Sequence, residues 1–360
     1  KLDGIIPHVV IVFSSCKYDH GKLFAALHES CQPEILVGCS SGGEFTNHIS
    51  TSGAVTAIAI WSDTVKFSAA VAGNLHADFR QAATTIAEQL KGLQTYDYRY
   101  HTAIVFADAL SGFTDEFLQA LVLATQGQYQ LVGAGAADDA KFQESYVFIG
   151  EKILRDASVV LEILSNEPVG IGFKHGWEVA SKPMRVTDTE SVRLVSINGM
   201  PSVEAFQDFA DETRQEFDQS TPLPFFLNNL LGIYYGNTYK LRVPFGINAD
   251  GSVNCVTSIP THATVQFMHT SIESACNAAA ESVRMAISQM KGAEPRAAIM
   301  FDCVASRLRM GDEFGTQIRS ISESLRGKEF VGCNTYGQFA RIDGEFDGIH
   351  NCTAITCLLP

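Results

Sequence analysis

The stretch LVGCSSGGEF, residues 36–45, breaks from apolar residues into glycine, cysteine, serine and a carboxylate. Two other stretches follow the same pattern, LVGAGAADD at residues 131–139 and FVGCNTYGQF at residues 330–339. Each begins as an apolar strand, passes through Val-Gly and continues into small residues. Because glycine adopts positive φ angles and lets another chain approach closely, the three stretches predict strand ends of one shared backbone shape.

Each of these stretches is preceded by another apolar strand and a helical pattern. The preceding strands are HVVIVFSSC at residues 8–16, TAIVFAD at residues 102–108 and AAIMFDC at residues 297–303. Parallel strands need a crossover connection, which is most often a helix. The periodicity therefore predicts a β-α-β repeat that is used three times, with loops of variable length.

Further elements surround the three repeats. Helices are predicted at residues 77–91 and 271–291, the second with a capping-box pattern from Thr270 to Glu273. Strands rich in Val, Ile and Thr follow every repeat. The pattern is typical of an α/β (mixed α+β) fold, in which mixed sheets carry helices packed outside. Residues 176–250 depart from it, so we place a boundary near residue 185 and expect two domains, 1–185 and 186–360.

The overall composition restricts the partners of the chain. A formal net charge of −14 argues against nucleic acid or an anionic membrane, because both require a basic face. No apolar run reaches the ~18 residues of a membrane span. Nine cysteines, none of them in a C-x-x-C pair, indicate reduced thiols in a cytoplasmic protein.

Polar side chains near the three strand ends are the candidate ligand contacts. Hydroxyl and backbone N–H groups at a strand end can face a ligand, and an arginine can bind a carboxylate through two parallel hydrogen bonds. The alternative roles are turn packing, helix capping and surface ion pairing. The candidates are Cys39, Ser40, Ser41, Glu44, Asp138, Cys303, Arg307, Asn334 and Tyr336.

Three kinds of chemistry receive little support from the motifs. A phosphate loop would need G-x-x-x-x-G-K, which is absent, and no basic residue lies near residues 36–45. A cysteine nucleophile at Cys39 would need a positioned base, and only His48 is close in sequence. Zinc would need paired cysteine or histidine spacings, which do not occur. We therefore expect a non-catalytic protein and keep a cysteine-dependent enzyme as an alternative.

Five segments together resemble the FIST family of sensory domains. They are GCSSGGEF, VGAGAADD, GFKHGWEVASKPMRVT followed by INGMPSVEAF, MFDCVASR and VGCNTYGQFA, in the order of that family over residues 8–358. The resemblance implies a small-ligand sensor that reports to a separate histidine kinase, diguanylate cyclase or phosphodiesterase. Cys303 and Arg307 match a Cys-x-x-x-Arg pattern of the family. Gln338 stands where the family commonly has glutamate, which weakens the case for a carboxylate that binds a ligand amine.

The layout also resembles a haem-containing branch of the family that senses nitric oxide in two-component systems. That resemblance implies haem b as a cofactor and nitric oxide as the ligand. Among the ten histidines, we favour His175 as the iron ligand, because Trp177 beside it supplies an apolar ring near the expected domain junction. The alternative for His175 is an interfacial histidine with protein partners. The alternative function is sensing of an amino acid or a small organic acid.

Overall fold

The computed structural model describes residues 4–95, 97–236, 238–342 and 348–360. The chain forms two compact units. The major unit comprises Lys1–His175, Cys276–Arg307 and Asp312–Pro360, and the minor unit comprises Gly176–Ala275 and Leu308–Gly311. The three β-α-β repeats belong to the major unit, apart from Leu308–Gly311 of the third. These compact units therefore do not coincide with a division at residue 185.

The secondary structure follows the predicted order. The first repeat contains β1 (Val9–Ser15), α1 (His20–Cys31), β2 (Ile35–Ser41), β3 (Glu44–Thr46), β4 (Ser50–Thr51) and β5 (Val55–Ile60). After β6 (Lys66–Gly73) and α2 (Leu75–Gln89), the second repeat contains β7 (Tyr100–Asp108), α3 (Thr114–Ala124), β8 (Gln130–Ala136), β9 (Val147–Ile149), β10 (Lys152–Leu154) and β11 (Ala157–Ser165).

The strand β12 (Gly170–Lys174) leads into the minor unit and the third repeat. The intervening elements are β13 (Glu178–Val179), β14 (Met184–Glu190), β15 (Arg193–Ile197), β16 (Met200–Pro201), α4 (Ser202–Thr213), α5 (Leu223–Phe226), β17 (Leu230–Tyr235), β18 (Thr238–Arg242), β19 (Pro244–Ile247), β20 (Val253–Cys255) and β21 (Thr264–His269). The chain then forms α6 (Ile272–Gln289), β22 (Ala297–Cys303), α7 (Val304–Met310), α8 (Phe314–Ser324), β23 (Phe330–Thr335), β24 (Gln338–Arg341), β25 (Ile349–His350) and β26 (Ala354–Leu359).

A local sequence signal explains the start of α1, whereas the signal predicted for α6 differs from the structure. Asp19 caps α1 by accepting a hydrogen bond from Lys22 N, as expected for an N-cap carboxylate. At α6 the predicted capping box from Thr270 is wrong. The Ser271 hydroxyl accepts from Ser274 N at 3.0 Å, whereas Thr270 donates its hydroxyl hydrogen to Gly176 O at 2.6 Å.

The three repeats of the major unit exchange hairpins in a closed cycle. The first repeat's β3 pairs with β23 of the third, the second repeat's β9 pairs with β2 of the first, and the third repeat's β24 pairs with β8 of the second. In the described part of the chain this yields three mixed sheets, with orders β10-β9-β2-β1-β5, β25-β24-β8-β7-β11-β6 and β12-β26-β22-β23-β3-β4. Each sheet therefore contains strands from two repeats.

The glycine of each Val-Gly pair lies between the first strand of its own repeat and an exchanged hairpin. Gly38, Gly133 and Gly332 lie opposite Phe148, Phe339 and Phe45 of the exchanged hairpins. A Cβ at Gly38 or Gly133 would lie within 1.9 Å of a carbonyl oxygen on the neighbouring strand, and both residues have φ of 154°. A Cβ at Gly332 would lie 2.2 Å from the Phe45 ring. Gly38 and Gly133 therefore share one backbone conformation that leaves no room for a side chain, whereas Gly332 lacks the positive φ and shares only the close contact.

The three sheets enclose one core, and helices cover their outer faces. The Phe residues of the three first strands, Phe13, Phe106 and Phe301, contact one another edge to face, with ring centroids 5.8–6.3 Å apart. Residues of α2 and α3 pack with the opposite faces of β7 and β8. These contacts confirm the predicted fold class, because mixed sheets meet in the centre and helices lie outside.

The minor unit has a core of its own around one sheet. Its strands follow the order β18-β17-β21-β14-β15-β20-β19, with β13 beside β21 and β16 beside β15. The rings of Phe206 and Phe209 on α4 contact Phe267 on β21 at 4.9 and 4.2 Å. Asn198 and Gly199 both have positive φ, which confirms the predicted turn before α4.

The longer segment of the minor unit, Gly176–Ala275, is inserted between β12 and the greater part of α6. Before the second repeat, β6 is followed directly by α2, and β6 pairs with β11 of that repeat. The corresponding strand before the third repeat, β12, pairs with β26, but residues of the minor unit intervene before α6. Of the helices that the structure describes, none is long and apolar enough to cross a membrane.

The glycine contacts lead to a stability prediction. The substitution Gly133→Ala should destabilise the major unit by about 3 kcal/mol or more, because overpacking and backbone strain both contribute. Gly315→Ala, in α8, is the matched control. A Cβ there meets nothing within 4 Å, so the control should be neutral or gain up to about 1 kcal/mol. Thermal unfolding of both variants measures the difference, and equal melting temperatures would contradict the role of Gly133.

Candidate functional site

The three stretches that contain Val-Gly lie side by side in the major unit. Backbone hydrogen bonds join each stretch to the other two, so residues that are distant in sequence meet at one place. The N–H to O pairs are Gly42 to Asn334 at 2.8 Å, Tyr336 to Gly135 at 3.0 Å and Ala137 to Ser40 at 2.9 Å.

Cys39 faces the central core and not a surface. Its side chain is fully buried, together with Cys333 of the third repeat. Burial raises the pKa of the Cys333 thiol well above its usual value, and contact with Cys39 adds to the effect. His48, the only base suggested by sequence, is exposed and lies 3.9 Å from Glu329. A buried thiol of this kind lacks the access that a nucleophile needs.

Ser40, Ser41 and Glu44 form hydrogen bonds within the protein. Ser40 Oγ accepts from Tyr146 N at 2.8 Å, and Ser41 donates its hydroxyl hydrogen to Glu44 Oε1 at 2.6 Å. Glu44 Oε2 accepts from Ala54 N at 2.9 Å. Burial raises the pKa of the Glu44 carboxyl, although these hydrogen bonds partly oppose the effect. The three side chains thus hold the first strand end to its neighbours.

Asp138 and Tyr336 connect the second repeat to the third. Tyr336 donates its hydroxyl hydrogen to Asp138 Oδ1, and Asp138 also accepts from the backbone N–H groups of Phe142, Gln143 and Glu144 at 2.7–2.9 Å. Burial by itself would raise the pKa of Asp138, but these hydrogen bonds outweigh it and hold that pKa below its usual value.

The loop that Asp138 holds is strained. Asp139, Ala140 and Phe142 all have positive φ, which is uncommon for residues other than glycine. The ring of Phe142 is half exposed and stacks on Tyr336, with centroids 4.3 Å apart. Asp138 therefore maintains an unfavourable loop conformation through its hydrogen bonds, in line with turn-forming roles of such carboxylates.

Arg307 has an unusual set of partners. Its Nε donates to Ser52 Oγ at 3.0 Å, and its Nη1 donates to Ser50 Oγ at 3.1 Å and to Asn334 Oδ1 at 3.3 Å. One face of its guanidinium lies 5.2 Å from the ring centre of Phe314. The structure thus brings two of the predicted residues, Arg307 and Asn334, into contact. It adds Ser50 and Ser52, which no motif indicated because isolated serines are common in loops.

Cys303 lies at the end of β22, next to a cysteine that sequence reasoning did not single out. Its sulfur is 3.9 Å from the sulfur of Cys352. The backbone oxygen of Cys303 accepts from Asn334 Nδ2 at 3.4 Å, so Cys303 and Arg307 are both next to Asn334. Spacing could not reveal the cysteine pair, because its members come from distant strands.

His175 and Trp177 belong to different compact units. His175 is half-buried at the end of the first segment of the major unit, and Trp177 is buried in the minor unit. The guanidinium carbon of Arg309 lies 5.8 Å from the ring centre of Trp177. Among the described residues, no group of three or more His, Cys, Asp or Glu side chains is arranged to hold a metal ion.

A surface cavity of about 250 Å³ lies elsewhere in the major unit. Residues of α3 and β24 line it, including Leu118, Val122, Phe339 and Arg341. None of the candidate ligand contacts predicted from the sequence lines this cavity.

The contact of Tyr336 with Asp138 leads to a prediction that depends on pH. Tyr336→Phe should destabilise the major unit by about 1.5–3 kcal/mol at pH 7, because the carboxylate loses a donor. Since the folded pKa of Asp138 is lowered, its contribution is present above the usual aspartate pKa and is lost as the pH falls through the folded value.

Melting temperatures measured from pH 7 down to pH 3 test this prediction. The difference in melting temperature between Tyr336→Phe and the unmodified protein should become smaller as the pH falls. Tyr18→Phe is the matched control, since Tyr18 is an exposed tyrosine of the major unit. A difference of constant size at every pH would count against the role of Asp138.

Comparison with family models identifies the family of the chain. A family model described as the FIST N domain matches residues 8–200, and one described as the FIST C domain matches residues 203–341. No curated protein matches the chain significantly. The two family models meet between residues 200 and 203, inside the minor unit, so neither coincides with a compact unit. The chain belongs to the FIST family, whose domains sense small ligands in signal transduction.

Proposed function

We propose that this protein senses a small molecule with a carboxylate group, an amino acid or a small organic acid, and that Arg307 binds the carboxylate. One observation carries the proposal. Arg307 is a half-buried cation whose described hydrogen-bond partners are all neutral.

The charge of Arg307 has no close anionic partner among the described residues. Among the residues that the structure describes, no carboxylate oxygen lies within 4.0 Å of its nitrogen atoms. Burial lowers the pKa of Arg307, and the more distant Glu44 offsets only part of this effect. A desolvated cation that is paired only with hydroxyl and amide oxygens is incompletely compensated, so an anionic ligand would be favourable here.

The geometry favours a carboxylate as the recognised group. The guanidinium plane can bind a carboxylate through two parallel hydrogen bonds. The hydrogen bonds to Ser50, Ser52 and Asn334 use Nε and Nη1. A carboxylate bound through two parallel hydrogen bonds would pair Nη2 with one of these nitrogens and displace its neutral partner. Ser50 and Ser52 lie at the same place and can add hydroxyl donors. The neighbouring Phe314 ring restricts the guanidinium on one face.

Recognition of an amine has less support in the surrounding residues. Glu44 and Gln338 are both fully buried and form hydrogen bonds inside the protein. Neither presents an oxygen at the surface for an ammonium group. The carboxylate is therefore the part of the ligand that this proposal specifies.

Ligand binding at Arg307 would act on an existing connection between two repeats. Ser50 and Ser52 belong to the first repeat, whereas Asn334 belongs to the third. A ligand that competes for the guanidinium would weaken this connection and change the hairpin β3–β4. We propose that such a change is reported to a signalling enzyme on a separate chain. A histidine kinase or a cyclic-di-GMP enzyme is the partner class that the sequence resemblance implies.

Haem-based nitric-oxide sensing remains a hypothesis from the sequence. Its proposed axial ligand, His175, is half-buried, and Arg309 lies over the Trp177 ring that was expected to support a porphyrin. These surroundings add no second observation in favour of haem b. We therefore place the carboxylate hypothesis first.

Thermal-shift titration with amino acids and small mono- and dicarboxylic acids tests the proposal. A ligand that binds the folded state must raise the melting temperature. Arg307→Ala should weaken binding by about 10- to 100-fold, because a charged hydrogen-bonded contact is lost. Arg307→Lys should recover only part of the affinity, since lysine lacks the planar fork.

Arg319→Ala is the matched control, because it removes an exposed arginine from the same unit. Its ligand affinity should equal that of the unmodified protein. The proposal fails if no carboxylate stabilises the protein. It also fails if Arg307→Ala binds the ligand as tightly as Arg319→Ala does. An absorption spectrum of protein purified from haem-supplemented cells, recorded with and without nitric oxide, tests the haem hypothesis separately. A Soret band that His175→Ala removes would move haem to first place.

A further inference from the structure

Cys303 and Cys352 are placed as a pair of thiols close to Arg307. All nine cysteines are reduced in the structure, and these two have their sulfur atoms 3.9 Å apart. A disulfide has a sulfur–sulfur distance of about 2.05 Å, so side-chain rotation has to close a gap of about 2 Å. Both side chains are largely but not completely buried, at 6% and 5% exposed.

The surroundings favour the thiolate form of Cys303. A hydrogen bond from Cys352 lowers the pKa of the Cys303 thiol, and the backbone N–H groups of Ala305 and Cys352 contribute in the same direction. Together these outweigh the opposing effect of burial. By contrast, burial raises the pKa of Cys16 to about 11 and those of Cys255 and Cys357 to about 12. Since the thiolate is the reactive form, Cys303 differs from these three thiols.

We propose that Cys303 and Cys352 form a reversible redox site, in which a hydroperoxide oxidises Cys303 and Cys352 then closes a disulfide. In the first step, the Cys303 thiolate attacks one peroxide oxygen, the O–O bond breaks, and the departing hydroxide takes up a proton to give water. Cys303 is then a sulfenic acid.

In the second step, the sulfur of Cys352 attacks the Cys303 sulfur. The S–O bond breaks, and the hydroxide leaves as water with the proton of the Cys352 thiol. The two thiols together lose two electrons, and hydrogen peroxide gains them. The balance is two thiols and one hydrogen peroxide converted into one disulfide and two waters.

The disulfide would form beside the proposed ligand contact. Cys303 immediately precedes α7, and Arg307 follows one helical turn later. Cys303 O and Arg307 Nη1 both contact the side chain of Asn334. Closing the bond would therefore change the position of the guanidinium. This effect on affinity rests on the proposed function, whereas formation of the disulfide does not.

The test uses the full chain and hydrogen peroxide as the oxidant. Native protein is exposed to a few equivalents of peroxide, quenched in acid, unfolded with an alkylating agent and mapped by peptide mass spectrometry. A peptide that links Cys303 to Cys352 should accumulate, and a dithiol reductant should restore both alkylatable thiols. Cys39 and Cys333 provide the internal control. They are also in contact but are fully buried, so both should stay reduced during the peroxide treatment and be alkylated after unfolding.

Two variants separate a redox site from simple packing. In Cys352→Ser, the sulfenic acid on Cys303 cannot be resolved, and a dimedone probe should label Cys303. In Cys303→Ser, Cys352 should stay an alkylatable thiol after the same treatment. The inference is overturned if Cys303 and Cys352 remain reduced under peroxide that oxidises the partly exposed Cys16 and Cys31, or if the linked peptides join other cysteines. Because the mass mapping uses the unmodified protein, a variant that does not fold leaves the test intact.

The link to ligand binding has its own measurement. If the proposed function holds, affinity for the carboxylate ligand should change at least threefold between the oxidised and reduced protein. A disulfide without a change in affinity would contradict the coupling and leave the redox site established. A ligand-binding protein without a disulfide would contradict the redox site and leave the proposed function established.

Discussion

The exchange of hairpins among the three repeats is the constraint on which the major unit depends. Each sheet obtains one of its hairpins from a different repeat, and each exchange places a phenylalanine against a glycine. No repeat can complete its sheet alone, because the strand that covers its Val-Gly position comes from elsewhere in the chain. The core around Phe13, Phe106 and Phe301 therefore forms only when all three repeats are assembled.

The same exchange brings together the three turns around the candidate site. The chain must turn sharply after each Val-Gly strand to reach the neighbouring sheet, so the three turns converge and form hydrogen bonds with one another. Polar side chains at this place form hydrogen bonds inside the protein. Asp138 accepts from Phe142 N, and Glu44 accepts from Ala54 N. Arg307 differs because its hydrogen-bond partners, in the part of the chain that the structure describes, are neutral oxygens. That contrast distinguishes a candidate recognition group from structural polar groups.

The proposed ligand contact and the proposed redox site share the region around Arg307, Asn334 and Cys303. A sensor requires a group whose contacts change with its input, and the guanidinium holds together residues of two repeats. Neutral hydrogen bonds of this kind contribute little net free energy each, so a charged ligand can compete with them. A disulfide at the start of α7 would act on the same helix. Both inputs would then be transmitted through the hairpin that the first repeat contributes.

The sequence by itself determined the order of strands and helices, the threefold use of the β-α-β repeat and the family. These are local properties, since periodicity, Val-Gly pairs and turn residues depend on neighbours along the chain. Only the tertiary structure decided that Cys39 lies in the core, that Ser50 and Ser52 contact Arg307, and that Cys352 lies beside Cys303. It also showed that the minor unit interrupts the connection from β12 to α6. Such contacts join residues far apart in sequence, and their partners are set by how the hairpins exchange between sheets, which no local pattern encodes.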